Sequence, residues 1–175
     1  VPQDGINPGR TFPGDPNGSF SAVMAYHFTE QVLSKADYYV ELHGGDIPEA
    51  LVPFVIFPVT GNAEVDAKSR AMAVAYNIPL VAGSRVDNLP RPLHTSGFSY
   101  MALQGTPSIL TESGQQGILD MADAERHLVG LRNILIYLGM LDGQITNTAK
   151  RKFSEEHAAI RSELVGMWYP HVKLG

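Results

Sequence analysis

The sequence predicts an α/β protein, a three-layer α/β/α sandwich around a mostly parallel, mixed sheet. Short apolar runs without helical period alternate along the chain with longer stretches of helical period. No internal repeat or low-complexity tract breaks this order. Two of the short runs, "VELHGG" and "LTESG", end in an ionisable residue followed by glycine, and open α/β sheets bind ligands outside the carboxyl ends of their strands.

Residues 1–19 are rich in Gly, Pro, Asn and Asp and read as turns. Residues 18–36 read as a helix capped by Ser19 or Ser21, with Met24, Phe28 and Val32 recurring at a helical interval. The runs 37–43, 53–59, 78–83 and 106–114 read as buried strands. Residues 63–77 read as a helix, 84–95 as a loop, and 96–105 as a short helix. The longest helix spans 121–141 and places Leu128, Leu131, Leu135 and Leu138 on one face. The final segment, from Ser162, alternates like a strand. The expected organisation is one α/β domain over 1–150, then a linker and the start of a β-domain over 151–175.

Composition narrows the function. A chain of 175 residues can bury roughly 70% of its unfolded surface as a single domain. No apolar run is long enough to span a membrane. A net charge of −5 argues against nucleic acid, which is bound through clustered Lys and Arg. With no cysteine, the available metal ligands are His, Asp and Glu.

His43 ends one strand, two residues after Glu41; a neutral imidazole there suits a metal ion, and the carboxylate can orient it. The plain alternative is a strand-end histidine bonded locally. Glu112 ends another strand and suits general acid–base work, or else a capping or salt-bridge role. Arg10, in a turn-rich loop, can clamp a carboxylate through its planar fork of donors, or be a solvated charge. His94, with Arg85 and Arg91, lies in a loop able to line a cleft. His27 and His127 read as surface or core-edge residues within helices, and the pair Asp120/Asp123 as helix-start charges.

Three pieces in order, "DG-N-R-FPGD" from Asp4, "LHGGD" from Leu42 and "TESG" from Thr111, resemble the succinylglutamate desuccinylase/aspartoacylase family, relatives of the zinc carboxypeptidases. The likeness runs from Asp4 to about Leu141. It implies a zinc carboxypeptidase-like fold and one Zn²⁺, held by an upstream HxxE-type pair and a later histidine that His43 matches. It also implies Glu112 as the group that handles protons, and Arg10 with Asn7 as the grip on a substrate carboxylate. The activity implied is zinc-dependent hydrolysis of the amide of an N-acyl amino acid or a related small molecule, in the cytoplasm, with a homo-oligomer left open. The alternatives are a zinc carboxypeptidase acting on peptides and a binding domain that kept the fold without the metal.

Three departures stand out. Gly9 rather than Asn precedes Arg10, with Asn7 further back, and Glu41 stands where aspartate is usual. No HxxE-type zinc pair is expected anywhere in these residues, and the chain reads as a fragment lacking that pair and most of the C-terminal β-domain.

Overall fold

A computed structural model describes residues 1–86, 96–154 and 162–166. The four expected strands form: β1 (Tyr39–His43), β2 (Phe54–Val59), β3 (Leu80–Arg85) and β4 (Ser108–Glu112). A fifth, β5 (Lys152–Ser154), lies in the stretch read as a linker; it pairs parallel to β3 and extends the same sheet. The order across the sheet is β1-β4-β2-β3-β5. Strand β1 runs parallel to β4, and β2 parallel to β3, while β4 and β2 are antiparallel. The sheet is therefore mixed and mostly parallel.

The helices are α1 (Phe20–Gln31), α2 (Ala63–Ala75), α3 (Gly97–Leu103) and α4 (Met121–Tyr137). Each long one starts where a short polar side chain can satisfy orphan backbone N–H groups. The Ser19 side chain accepts from the Ala22 N–H, that of Asn62 from Glu64 and Val65, and that of Asp120 from Ala122.

Strand pleating divides the sheet into two unlike faces. One packs Val55, Phe57, Val81 and Ile109 against Met72 and Tyr76 of the α2 end and Ile134 of α4, in a dry core. On the other, Tyr39 packs beside a smaller cluster of Phe12, Ala25, Leu33 and Met101, drawn from the first loop, the α1 region and α3. Helices thus cover both faces.

Two helices use a different side from the one their sequence suggests. Helix α1 buries the small residues Ser21, Ala25 and Thr29, leaving Met24, Phe28 and Val32 42–50% exposed. Helix α4 buries Gly130, Asn133 and Ile134, leaving Leu128 and Leu135 exposed. The reason in α4 is close approach. Tyr76 lies against Gly130 so tightly that a Cβ there would sit 2.4 Å from its ring. Buried Asn133 is fully engaged, donating from Nδ2 to the Ala75 and Thr146 carbonyls and accepting from the Thr146 N–H, which ties the return towards β5 to the helix. Residues 162–166 are irregular rather than extended, and the rest of that segment lies outside the described residues. Among the described residues no helix is long and apolar enough to cross a membrane.

Candidate active site

Parallel pairing of β1 with β4 sets Glu41 beside Leu110 and His43 beside Glu112. Period-2 alternation then points Glu41, His43 and Glu112 to the same face, away from the dry core. Residues 43 and 112, 69 positions apart in the chain, become neighbours at one rim of the sheet. They line a cleft of about 300 Å³ together with Asn7, Arg10, Asp46 and Glu49, over Ile56 and Leu110. Helix α3 closes one side through Phe98 and Ser99.

The centre is a hydrogen-bonded chain. His43 Nε2 lies 2.9 Å from Glu41 Oε1, and Glu41 Oε2 accepts from the Phe98 N–H at 2.9 Å. The carboxylate is thus anchored at the start of α3 and in turn fixes the imidazole. Gly97 permits this approach, since a Cβ there would sit 2.5 Å from the Tyr39 hydroxyl and 2.8 Å from Glu41 Oε2. The bond to Glu41 is the main cause of a raised His43 pKa, helped by the charges of Glu41, Glu112 and Asp46 and opposed by burial. Burial also pushes the Glu112 carboxyl upward; Glu49, Asp46 and Glu41 add to this and His43 opposes it. A carboxyl so shifted is better matched to proton transfer near neutral pH than a solvated one.

The first loop brings in the cation. Asn7 caps a short 3-10 turn over Pro8–Arg10, its Oδ1 accepting from the Gly9 N–H at 2.9 Å. The residue that departs from the family's motif thus supplies the N–H that Asn7 holds. Asp4 lashes the loop to α1: one carboxylate oxygen accepts from the Ser21 N–H at 2.6 Å, the other from Ser21 Oγ and the Ile6 N–H at 3.0 Å. Arg10 is held at the cleft edge as a consequence.

Of the residues singled out in the sequence, His43, Glu112, Arg10 and Asn7 meet in one cleft; His94 and Arg91 fall outside the described residues. The string His27-Phe28-Thr29-Glu30 has the spelling of an HxxE pair, but it lies on α1 with His27 and Glu30 exposed and takes no part in the cleft. Among the described residues no group of three or more His, Asp or Glu is placed to hold a metal ion, so these residues alone do not make a zinc site.

Sequence reasoning missed four participants. Asp46 and Glu49 follow the glycines after His43 and were readable only as loop acids. His127, read as peripheral, lies between the Tyr76 hydroxyl and the His43 carbonyl. Asp123 is more than a helix-start charge: its carboxylate accepts from Ser113 Oγ at 2.7 Å and from Arg126 Nη1.

The chain is 29% identical over 147 residues to N-alpha-acetyl-L-2,4-diaminobutyric acid deacetylase of Halomonas elongata, a match that covers 82% of this chain and 41% of the relative. A succinylglutamate desuccinylase from Silicibacter sp. TM1040 superposes with a TM-score of 0.76 at 26% identity, over 85% of this chain and 44% of that one. The chain is thus similar in sequence and fold to proteins of the succinylglutamate desuccinylase/aspartoacylase family. The ectoine utilization protein of Ruegeria pomeroyi, in a product-bound structure, superposes with a TM-score of 0.77 at 26% identity, over 90% of this chain and 47% of that one. No family model matches the sequence. The chain spans less than half the length of each of these relatives.

Proposed function

We propose that this chain forms part of a hydrolase that removes the acyl group from an N-acylated amino acid. The observation that supports it best is the lateral pairing of His43 with Glu112 in a cleft whose edge carries Arg10, in a chain similar to a deacetylase of an acylated amino acid.

In this reading water adds to the acyl carbonyl and the C–N bond breaks, giving a carboxylate and a free amine. Glu112 takes the proton from the attacking water and delivers it to the departing nitrogen, a role favoured by its raised pKa and its place at the rim. Arg10, steadied by the turn that Asn7 caps, binds the substrate carboxylate through its fork of donors. Glu41 keeps the His43 ring from turning.

Zinc belongs to the reading as an ion to which His43 contributes one ligand, the others lying outside the described residues. It would supply a polarising charge at the carbonyl, and no step is assigned to it.

The acids Asp46 and Glu49 line the same cleft, which favours an amine product that carries a second positive charge. The Halomonas relative's diaminobutyric acid substrate has a second amine of this kind.

Incubating the full-length protein with a panel of N-acetyl and N-succinyl amino acids, acidic and basic, tests the proposal. Release of free amine, fastest from an Nα-acetylated diamino acid, together with about one bound zinc by elemental analysis, is expected. Release from peptides alone would favour a carboxypeptidase, and metal-free protein inert to the whole panel would favour a binding domain.

A further inference from the structure

The rim that carries His43 is held from behind by a side chain on the opposite face of the sheet. His43 is the last residue of β1, and two glycines follow it. Backbone bonds from Gly45 to the Gly114 carbonyl and from Gly117 to the Gly45 carbonyl hold the turn that follows. The His43 carbonyl receives two hydrogen bonds: one from the Ser113 N–H at 3.1 Å, continuing the ladder to β4, and one involving His127 Nε2 at 3.1 Å, from α4.

The chemistry of the second bond fixes the polarity of the whole arrangement. A carbonyl can only accept, so His127 Nε2 must carry the hydrogen. In the neutral ring Nδ1 is then a lone pair, and the Tyr76 hydroxyl, 2.8 Å away, must donate to it. Tyr76 is itself tightly packed: it is 1% exposed, and its ring lies against Gly130, one turn beyond His127 on the same helix. The order is therefore Tyr76 O–H to His127 Nδ1, and His127 Nε2–H to the His43 carbonyl. A residue locked in the core grips, through one imidazole, the backbone that presents the other imidazole to the cleft.

We propose that His127 is a positioning residue: it clamps the end of β1 from the core side so that the His43 ring stays seated on Glu41. This rests on the deacylase reading for its kinetic consequence, although the clamp itself does not. Beyond His43 the chain is held again at Gly45, whose N–H donates to the Gly114 carbonyl at 3.1 Å, so the His127 bond adds its hold at the residue that carries the imidazole itself.

The test uses the full-length protein in wild-type, His127→Ala and His127→Gln forms. The glutamine amide nitrogen can stand where Nε2 stands and donate to the same carbonyl, so it is the conservative rescue. By ¹⁵N-detected NMR, wild-type His127 should carry hydrogen on Nε2. His127→Ala should shift the His43 ring resonances, and His127→Gln should return them towards wild type. In turnover of the best acylated amino acid, His127→Ala should lower kcat roughly tenfold to a hundredfold with KM within about twofold, with most of the loss recovered in His127→Gln. A His127 Nε2 that carries no hydrogen, or His43 resonances unchanged in His127→Ala, overturns the clamp. Equal loss of kcat in both variants, at unchanged melting temperature, overturns it as well. A wild-type protein inert to every substrate overturns the deacylase reading instead, and the NMR comparison still decides the clamp.

Discussion

The two faces of the sheet come from the same strands, yet they do opposite work. Residues 55, 81 and 109 point to one side and are wholly buried among Met72, Tyr76 and Ile78. Residues 41, 43 and 112 point to the other side and line a cleft with Arg10, Asp46 and Glu49. The difference teaches that stability and chemistry are separated here by strand pleating, a distance of one residue. Replacing Ile109 or Glu112, three positions apart on β4, should therefore damage different properties.

The largest effect expected is on the cleft side. Glu112→Gln keeps the size of the side chain and removes its ability to take a proton, so turnover should fall by ~10²–10⁴ while the melting temperature holds. A rate within twofold of wild type would take proton transfer away from Glu112. On the core side, Ile109→Ala leaves a void beneath Tyr76 and α2 and should destabilise the fold by about 2–5 kcal/mol in denaturant titration. Its kcat, measured well below the unfolding transition, should change far less than that of Glu112→Gln. If both variants lose activity and stability in the same proportion, the two faces are not separable.

At the edge of the cleft the effects are smaller. Arg10→Ala should raise KM by about tenfold or more with little change in kcat, as expected for loss of a charge-assisted contact made equally in ground and transition states. An unaltered KM would make Arg10 a solvated charge. The smallest effect concerns the tether behind Arg10. The Ser21 N–H, with help from Ile6 and the Ser21 hydroxyl, holds the Asp4 carboxyl down from an ordinary 3.8 to about 2. A carboxyl whose folded pKa is depressed contributes stability that is fully present above about pH 4 and is lost as pH falls through about 2. Thermal melts between pH 5 and 2 should therefore slope less in Asp4→Asn than in wild type, and parallel slopes would argue against the tether.

How much of this was readable in advance depends on the kind of signal. The four strands and four helices announced themselves because apolar period is local and each element's backbone bonds are satisfied nearby. The caps at Ser19, Asn62 and Asp120 follow from the same locality. The buried sides of α1 and α4 did not follow, because large apolar residues spaced at a helical interval favour one side and tight packing selected another. Ser21, Ala25 and Thr29 in α1, and Gly130 in α4, let backbones approach where leucine or phenylalanine would hold them apart. The candidate site was half readable: motifs at 4–15, 42–46 and 111–114 pointed to it, whereas Gly97 and His127 carry no motif and gain meaning only from what they touch.

By itself, then, the sequence determined the alternation of strands and helices, the ionisable residues at two strand ends, and which group of proteins the chain resembles. These are properties of neighbours along the polymer. Only the tertiary structure decided that His43 stands beside Glu112, that Glu41 is anchored by the Phe98 N–H, and that His127 reaches the back of the same strand. The physical reason is register. A shift of one residue between β1 and β4 would turn Glu112 into the core and leave every local pattern unchanged.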